Sequence, residues 1–250
     1  MRIAALYDVH GNLDALDAVL AEIDRLRPDL ILLGGDIALG PMPRQTLDRL
    51  IGRKDAVYIR GNADRELVEE LDTVPDPGDL WAARGRWARD QLTPRHRAFL
   101  AHLPATAEYQ IDPLGAILFC HGSPRSDEEI ITRLTPESRL QEMFAGVAQP
   151  LVVCGHTHVQ FDRQVAGKRL VNPGSVGMPY EGSPDARWAL FGPAVELRRT
   201  PYDSSGAAAR LPGDFPGAEE FARKYLLHPP TASEASEFFE RMAERRGHGE

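Results

Sequence analysis

The sequence predicts an α/β (α+β) fold in which buried strands form a sandwich of sheets and helices cover its outside. Three observations carry this. Short apolar runs without polar alternation recur as far as Val153, which is the pattern of strands buried on both faces. Helical patterns lie between the early runs, and that alternation predicts a parallel or mixed sheet. After Val153 strand patterns follow one another through short turns, which predicts a more antiparallel second sheet packed on the first.

The strands are expected at Ile3–Tyr7, Leu30–Leu33, Ala56–Ile59, Ala116–Phe119 and Leu151–Val153, each mostly β-branched residues or Leu. Between the first two, Leu13, Leu16, Val19, Leu20, Ile23 and Leu26 recur at helical spacing, with Asp14, Asp17, Glu22 and Asp24 elsewhere around the wheel. A shorter helix is expected over Thr46–Ile51. Two more are expected at Leu80–Gln91 and Arg95–His102, the latter announced by Thr93-Pro94. Later strands are expected at Arg169–Val171, Arg187–Phe191 and Val195–Arg199, with Gly192-Pro193 turning between the last two. These elements place one domain over residues 1–202 and a helical extension over 203–250. In the extension, Ser204-Ser205-Gly206 and Leu211–Gly213 read as linker, and Ala218–Leu227 and Glu234–Arg245 as helices. The extension carries Phe221, Tyr225, Leu226, Phe238, Phe239 and Met242. Such an apolar load packs on the sandwich, caps a site or forms a dimer contact. Gly247–Glu250 is expected to fray.

Composition narrows the function. Lys plus Arg number 29 and Asp plus Glu 37, so the net charge of -8 opposes non-specific binding to duplex nucleic acid or anionic membranes. Two cysteines, Cys120 and Cys154, exclude a disulfide-rich scaffold and read as small buried strand residues. The start MRIAALYDVHGN turns polar too soon for a signal peptide, and no apolar run is long enough to span a membrane. A cytoplasmic protein, monomeric or homo-oligomeric, is expected.

Chemistry-bearing residues gather just past five strand ends. They are Asp8-Val9-His10-Gly11-Asn12, Gly34-Gly35-Asp36, Gly61-Asn62-Ala63-Asp64, His121-Gly122 and Gly155-His156-Thr157-His158. Taken singly, an Asp, Asn or His there is ordinarily a cap or turn residue. His156 and His158 form the strongest pair, since alternate positions of an extended segment project to one side. Five such strand ends in one chain point to a shared site, because ligands gather beyond the carboxyl ends of strands.

The five blocks in this order resemble those of the calcineurin-like binuclear metallophosphoesterases, from about residue 1 to 180. The start at Asp8 and the segment Asn172-Pro173-Gly174-Ser175-Val176-Gly177 look like the bacterial branch of small phosphodiesterases and diadenosine-tetraphosphatase-like proteins. The resemblance implies a four-layer αββα sandwich of two mixed β-sheets flanked by helices. It also implies two divalent metal ions: Asp8, His10 and His158 would hold one, Asn62, His121 and His156 the other, and Asp36 would bridge them with a shared hydroxide as nucleophile. Mixed nitrogen and oxygen ligands suit Mn first, with Fe, Zn, Ni or Co as alternatives. Asp64 is expected to orient a site histidine. Asn12, Arg60 and Arg125 are candidates for phosphate contact.

Two divalent ions outweigh Asp8, Asp36 and one hydroxide by about one positive charge, so a small phosphoester can dock on an acidic protein. Many members of the family carry His where this chain has Ala63, a position from which the leaving oxygen can be protonated. Loss of a general acid typically costs about 10²–10⁴-fold. Phosphodiesters and other activated esters are therefore expected ahead of alkyl monoesters. The alternatives are a non-catalytic metal-binding scaffold, as the retromer subunit of this fold is, a dinucleoside polyphosphate hydrolase and a protein phosphatase.

Overall fold

A computed structural model describes residues 1–69 and 78–247. Its first sheet holds β1 (Ile3–Leu6), β2 (Leu30–Leu33), β3 (Ala56–Tyr58), β9 (Ala186–Phe191) and β10 (Val195–Thr200), in the order β10-β9-β1-β2-β3. β1, β2 and β3 run parallel, whereas β9 pairs antiparallel with β1 and β10 with β9. The second sheet orders β4 (Thr106–Ile111), β5 (Gly115–Cys120), β6 (Leu151–Val153), β8 (Lys168–Asn172) and β7 (Phe161–Val165) as β4-β5-β6-β8-β7. There β5, β6 and β8 are parallel, and β4 and β7 are antiparallel edges.

Side-chain alternation explains the layers. Ile3 and Ala5 of β1 face Ile117, Phe119, Leu151 and Val153 of the second sheet, forming the core between the sheets. Ala4 and Leu6 point the other way, against Leu16, Val19, Leu20 and Ile23 of α1 (Leu13–Leu26). Leu118, Cys120 and Val152 face outward from the second sheet onto Leu140 and Met143 of α6 (Glu137–Met143). The result is the expected four-layer αββα sandwich of two mixed sheets. α2 (Pro43–Leu50), α3 (Asn62–Glu66), α4 (Leu80–Gln91) and α5 (Pro94–Ala101) complete the helices up to β4.

Two expectations need correction. The sheets do not divide at Val153: β5 and β6 belong to the second sheet, while the late strands β9 and β10 join β1 in the first. Runs buried on both faces look alike whichever sheet they occupy, so periodicity could not sort them. Nor is Ser204-Ser205-Gly206 a linker. It opens the helix α7 (Ser204–Ala209), whose first turn is capped by Asp203 accepting from the Gly206 N–H. β4 and β7 escaped the sequence reading because they are polar edge strands.

The extension continues with α8 (Ala218–Phe221), a π-helical segment Ala222–Leu227 and α9 (Ala232–Gly247). Phe215, Phe221, Tyr225 and Leu226 bury against Met178 and Ala207. The Arg84 guanidinium of α4 donates to the Pro216 carbonyl and lies over the Phe215 and Phe221 rings. α9 is tied to the loop after β5 and to α6 by Glu240, which accepts from Thr132 Oγ1 (2.6 Å), Thr135 Oγ1 (2.5 Å) and Arg139 Nη2 (2.6 Å). Residues 248–250, expected to fray, lie outside the described residues. Among the described residues no helix is long and apolar enough to cross a membrane.

Candidate metal centre

The carboxyl ends of five parallel strands, three in one sheet and two in the other, converge on one place. β1 delivers Asp8 and His10, β2 Asp36, β3 Asn62, β5 His121, and β6 His156 and His158. Five of these seven residues have left-handed backbones: Asp8 (φ 55°), His10 (46°), Asp36 (54°), His156 (65°) and His158 (58°). A non-glycine residue in that conformation costs about 1–3 kcal/mol, and such strain gathers at functional sites. The neighbouring glycines make room. A Cβ on Gly61 would lie 2.1 Å from Asp36 Oδ1, and one on Gly35 would lie 2.5 Å from the Gly61 nitrogen.

Backbone hydrogen bonds lock these loops to one another. Asp8 N donates to Gly35 O, His10 N to Asp36 O, Gly155 N to His121 O and Gly177 N to Asp8 O. Ser175 Oγ donates to Asp8 O (2.7 Å) and accepts from Met178 N (2.8 Å). Asn172 Nδ2 donates to Gly155 O (3.0 Å). The Asn172–Gly177 segment singled out in the sequence thus braces the site instead of entering it.

The side chains form two clusters with ligand atoms within 4.8 Å of one another: Asp8, His10 and His158, and Asp36, His121 and His156. His10 Nε2 and His158 Nε2 lie 3.2 Å apart. Each ring's Nδ1 faces a backbone carbonyl, Leu39 O at 3.0 Å and Met178 O at 2.8 Å, and therefore carries the proton. In the neutral rings two lone pairs then oppose each other at Nε2, an arrangement a cation resolves. His121 repeats the pattern, with Nδ1 at 2.9 Å from Gly34 O and Nε2 at 3.4 Å from Asp36 Oδ2 and 3.8 Å from Asp8 Oδ1. Asn62 Nδ2 donates to Glu66, so Oδ1 is the atom that could serve as a ligand. Asp8 Oδ1, Asn62 Oδ1 and His121 Nε2 are all buried without a hydrogen-bond partner. These three atoms are of the types that bind transition metals, so the residues present fit such ions.

Electrostatics keeps the carboxylates charged. Burial alone would raise the Asp8 and Asp36 carboxyls, but the imidazoles around them reverse this and hold both below the ordinary value. Burial and the charge of His121 push His156 down to about 4, and burial also lowers His10. For His121 burial is outweighed by the Asp36 and Asp8 carboxylates, which lift it to about 10. The carboxylates are thus kept as anions, the state in which they bind metals.

Asp64 does not orient a histidine through a hydrogen bond. Its carboxylate accepts from the N–H groups of Asp36 (2.8 Å), Ile37 (2.9 Å) and Gly61 (3.1 Å) and so sets the loop that carries Asp36. Burial, with the Asp36 charge adding to it, raises its carboxyl to about 7. Asn12 caps α1 through the Ala15 N–H and donates to Gly177 O and Tyr202 Oη. Arg125 is paired with Glu129, and Arg60 Nε lies 3.7 Å from Asp127. Cys120 and Cys154 are fully buried, as expected.

A cavity of about 650 Å³ opens from the clusters toward the C-terminal helices. His10, Asp36, Asn62, His156 and His158 line its inner end, and Asn12, Arg60 and Arg125 do not line it. Its remaining wall includes residues that motif reading missed, Trp81, Tyr180 and Lys224, together with Phe238, Phe239 and Met242 of α9. Only the apolar load of the tail hinted at them.

The family model of the calcineurin-like phosphoesterase superfamily domain matches residues 1–191. An uncharacterized protein of Methanocaldococcus jannaschii is 28% identical over 230 residues, 84% of this chain and 91% of that protein. The crystal structure of a metallophosphoesterase from Sphaerobacter thermophilus aligns with a TM-score of 0.70 at 28% identity, covering 89% of this chain and 99% of that one. A hypothetical protein of Pyrococcus horikoshii OT3 shares the fold with a TM-score of 0.75 at 22% identity, covering 90% and 98%.

Proposed function

We propose that this chain, which belongs to the calcineurin-like phosphoesterase superfamily, hydrolyses small phosphoesters with activated leaving groups, phosphodiesters ahead of alkyl monoesters. The observation that supports this best is the pair of clusters with three orphaned ligand atoms at the inner end of a cavity. Two divalent ions held there, Mn first among them, would polarise the phosphoryl oxygens and lower the pKa of a shared water.

The chain's own residues divide the remaining work. Asp36 faces a histidine of each cluster and would help hold both ions: its Oδ1 accepts from the Ala63 N–H at 2.8 Å, and its Oδ2 lies 3.6 Å from His10 and 3.4 Å from His121. The nucleophile is water positioned beside Asp36, because the hydroxyls near the site are committed elsewhere. Ser175 Oγ is hydrogen-bonded to Asp8 O, and Ser123 Oγ donates to Glu129 at 2.5 Å. Both cysteine thiols are pushed up by burial, which removes them as nucleophiles. At position 63 a buried alanine methyl can protonate nothing, so the leaving group departs largely on its own acidity.

The test is a phosphoester panel with manganese. Bis-p-nitrophenyl phosphate should turn over about 10²-fold faster or more than an alkyl monoester, and Ala63→His should raise the monoester rate. Equal rates on the two esters would sink the leaving-group reading. Tight metal binding with no turnover of any ester would favour the scaffold alternative.

A further inference from the structure

The metal clusters account for only one end of the cavity. A phosphoryl group with a methyl ester would leave most of the 650 Å³ empty, since such a volume suits a ligand of drug or nucleotide size. The rest of the wall is distinctive in being aromatic and ordered. Tyr180 stacks on the His158 imidazole with ring centroids 4.6 Å apart and planes 24° apart. Phe239 of α9 continues the series, 6.2 Å from Tyr180 at 26°. Trp81 meets His10 edge-on at 5.7 Å, its Nε1 donating to Glu66. Met242 lies one helical turn beyond Phe238, which is 51% exposed on the same wall.

Resting on the phosphoesterase reading, we propose that this cavity receives the alcohol side of the substrate as a flat aromatic ring, aryl or nucleobase, stacked on the wall formed by Tyr180, Phe239 and Trp81. Three features select a ring over a flexible apolar chain or a sugar. Near-parallel rings offer a flat face, and face-to-face offset packing is what a second ring gains from it. Tyr180 and Phe239 are fixed by their neighbours, so little entropy is lost when a rigid ring joins them. The carboxylates on the wall that would hold a sugar are already engaged: Glu66 by Asn62 and Trp81, and Glu234 by Thr231. A ring also suits the missing acid at Ala63, because aryl oxygens leave without protonation more readily than alkyl ones.

The experiment isolates the ring from the chemistry. The manganese-loaded full chain is titrated calorimetrically with methyl-, hexyl- and phenylphosphonate, which share a phosphoryl group and carry a C–P bond that this hydrolysis does not cleave. Phenylphosphonate should bind about tenfold tighter than methylphosphonate and clearly tighter than hexylphosphonate. Phe239→Leu, at a half-buried position, should cut the phenyl-to-methyl preference about three- to tenfold, the range of one aromatic pair. Trp81→Leu supplies a second variant, with metal content and circular dichroism reporting that each has folded. Equal binding of the hexyl and phenyl ligands would overturn the proposal, as would a phenyl preference untouched by both variants. If no phosphonate binds, the phosphoryl site itself fails and the phosphoesterase reading fails first. An adenosine phosphonate separates the two sources: tighter binding than phenylphosphonate assigns the cavity to a nucleobase, weaker binding to a smaller aryl group.

Discussion

Replacing Glu240 with alanine should loosen α9 from the molecule without disturbing the metal clusters. The carboxylate is 14% exposed and accepts from Thr132, Thr135 and Arg139, all on the segment that follows β5. A hydrogen bond to a charged group contributes about 1.5–3 kcal/mol, and three sharing one carboxylate are not additive. Their joint loss, with Arg139 left half-paired, is about 3 kcal/mol. That shifts the ratio of docked to undocked α9 roughly 150-fold. Amide hydrogen exchange along Ala232–Gly247 is the assay, because it reads local opening directly. Exchange there should accelerate by one to two orders of magnitude while β1 and β6 stay protected. Bound manganese should not change, since none of the three donors belongs to a cluster. Binding of an aromatic ester should weaken, because Phe238, Phe239 and Met242 ride on the same helix. Glu240→Gln keeps an acceptor for a threonine hydroxyl but loses the ion pair, so it should fall between. Unchanged exchange in α9 with Glu240→Ala would refute the reasoning outright.

Four other outcomes follow from particular contacts. Gly61→Ala drives a methyl to 2.1 Å from Asp36 Oδ1, so manganese affinity measured by equilibrium dialysis should fall about 10–100-fold. Asn12→Ala removes the cap of α1 and leaves Gly177 O unpaired, about 2–3 kcal/mol together, so Tm should drop by about 4–10 °C. Arg125→Ala, by contrast, should leave KM unchanged, because its guanidinium pairs with Glu129 and does not line the cavity. Glu22 is held below the ordinary carboxylate range: burial opposes this, but the Thr200 hydroxyl at 2.6 Å and Arg198 at 2.7 Å prevail. A lowered folded pKa stabilises above the unfolded value of about 4.3 and is lost as pH falls through the folded one. Glu22→Gln should thus cost about 1 kcal/mol at pH 7, and its Tm should converge with the parent chain's at acid pH.

The strands that feed the site were legible because all but the half-buried β3 are largely buried, and each leads to a polar residue close to a glycine. The six residues of the two clusters were legible for the same reason, together with the order of their blocks. Sheet membership was not, since pairing β1 with β9 is a long-range choice that local pattern does not encode. Asp64 shows a second limit. Its spacing from Asn62 suggested a role toward a ligand, yet two of the three N–H groups it accepts from, those of Asp36 and Ile37, belong to a loop brought to it only by the fold. Arg60 and Arg125 show a third. A cation near a motif in sequence is drawn to the nearest carboxylate in space, here Asp127 and Glu129, and these lie outside any motif.

The overall charge of -8 and the chemistry of the site describe different length scales. Surface charges separated by more than about 8 Å are largely screened at physiological salt, so the acidic total governs encounters with extended polyanions. Within the cavity the relevant charges are the clusters at its inner end, with Lys224 and Arg246 along its wall. Asp8 and Asp36 are buried and committed to their imidazoles, so they contribute little negative field to solvent. A small anion that reaches the cavity meets the end lined by the candidate metal clusters. α9 lines the same cavity and supplies part of its aromatic surface. On the proposed reading, α9 therefore contributes Phe239 to ring recognition and also narrows the cavity, and Glu240 holds it in place.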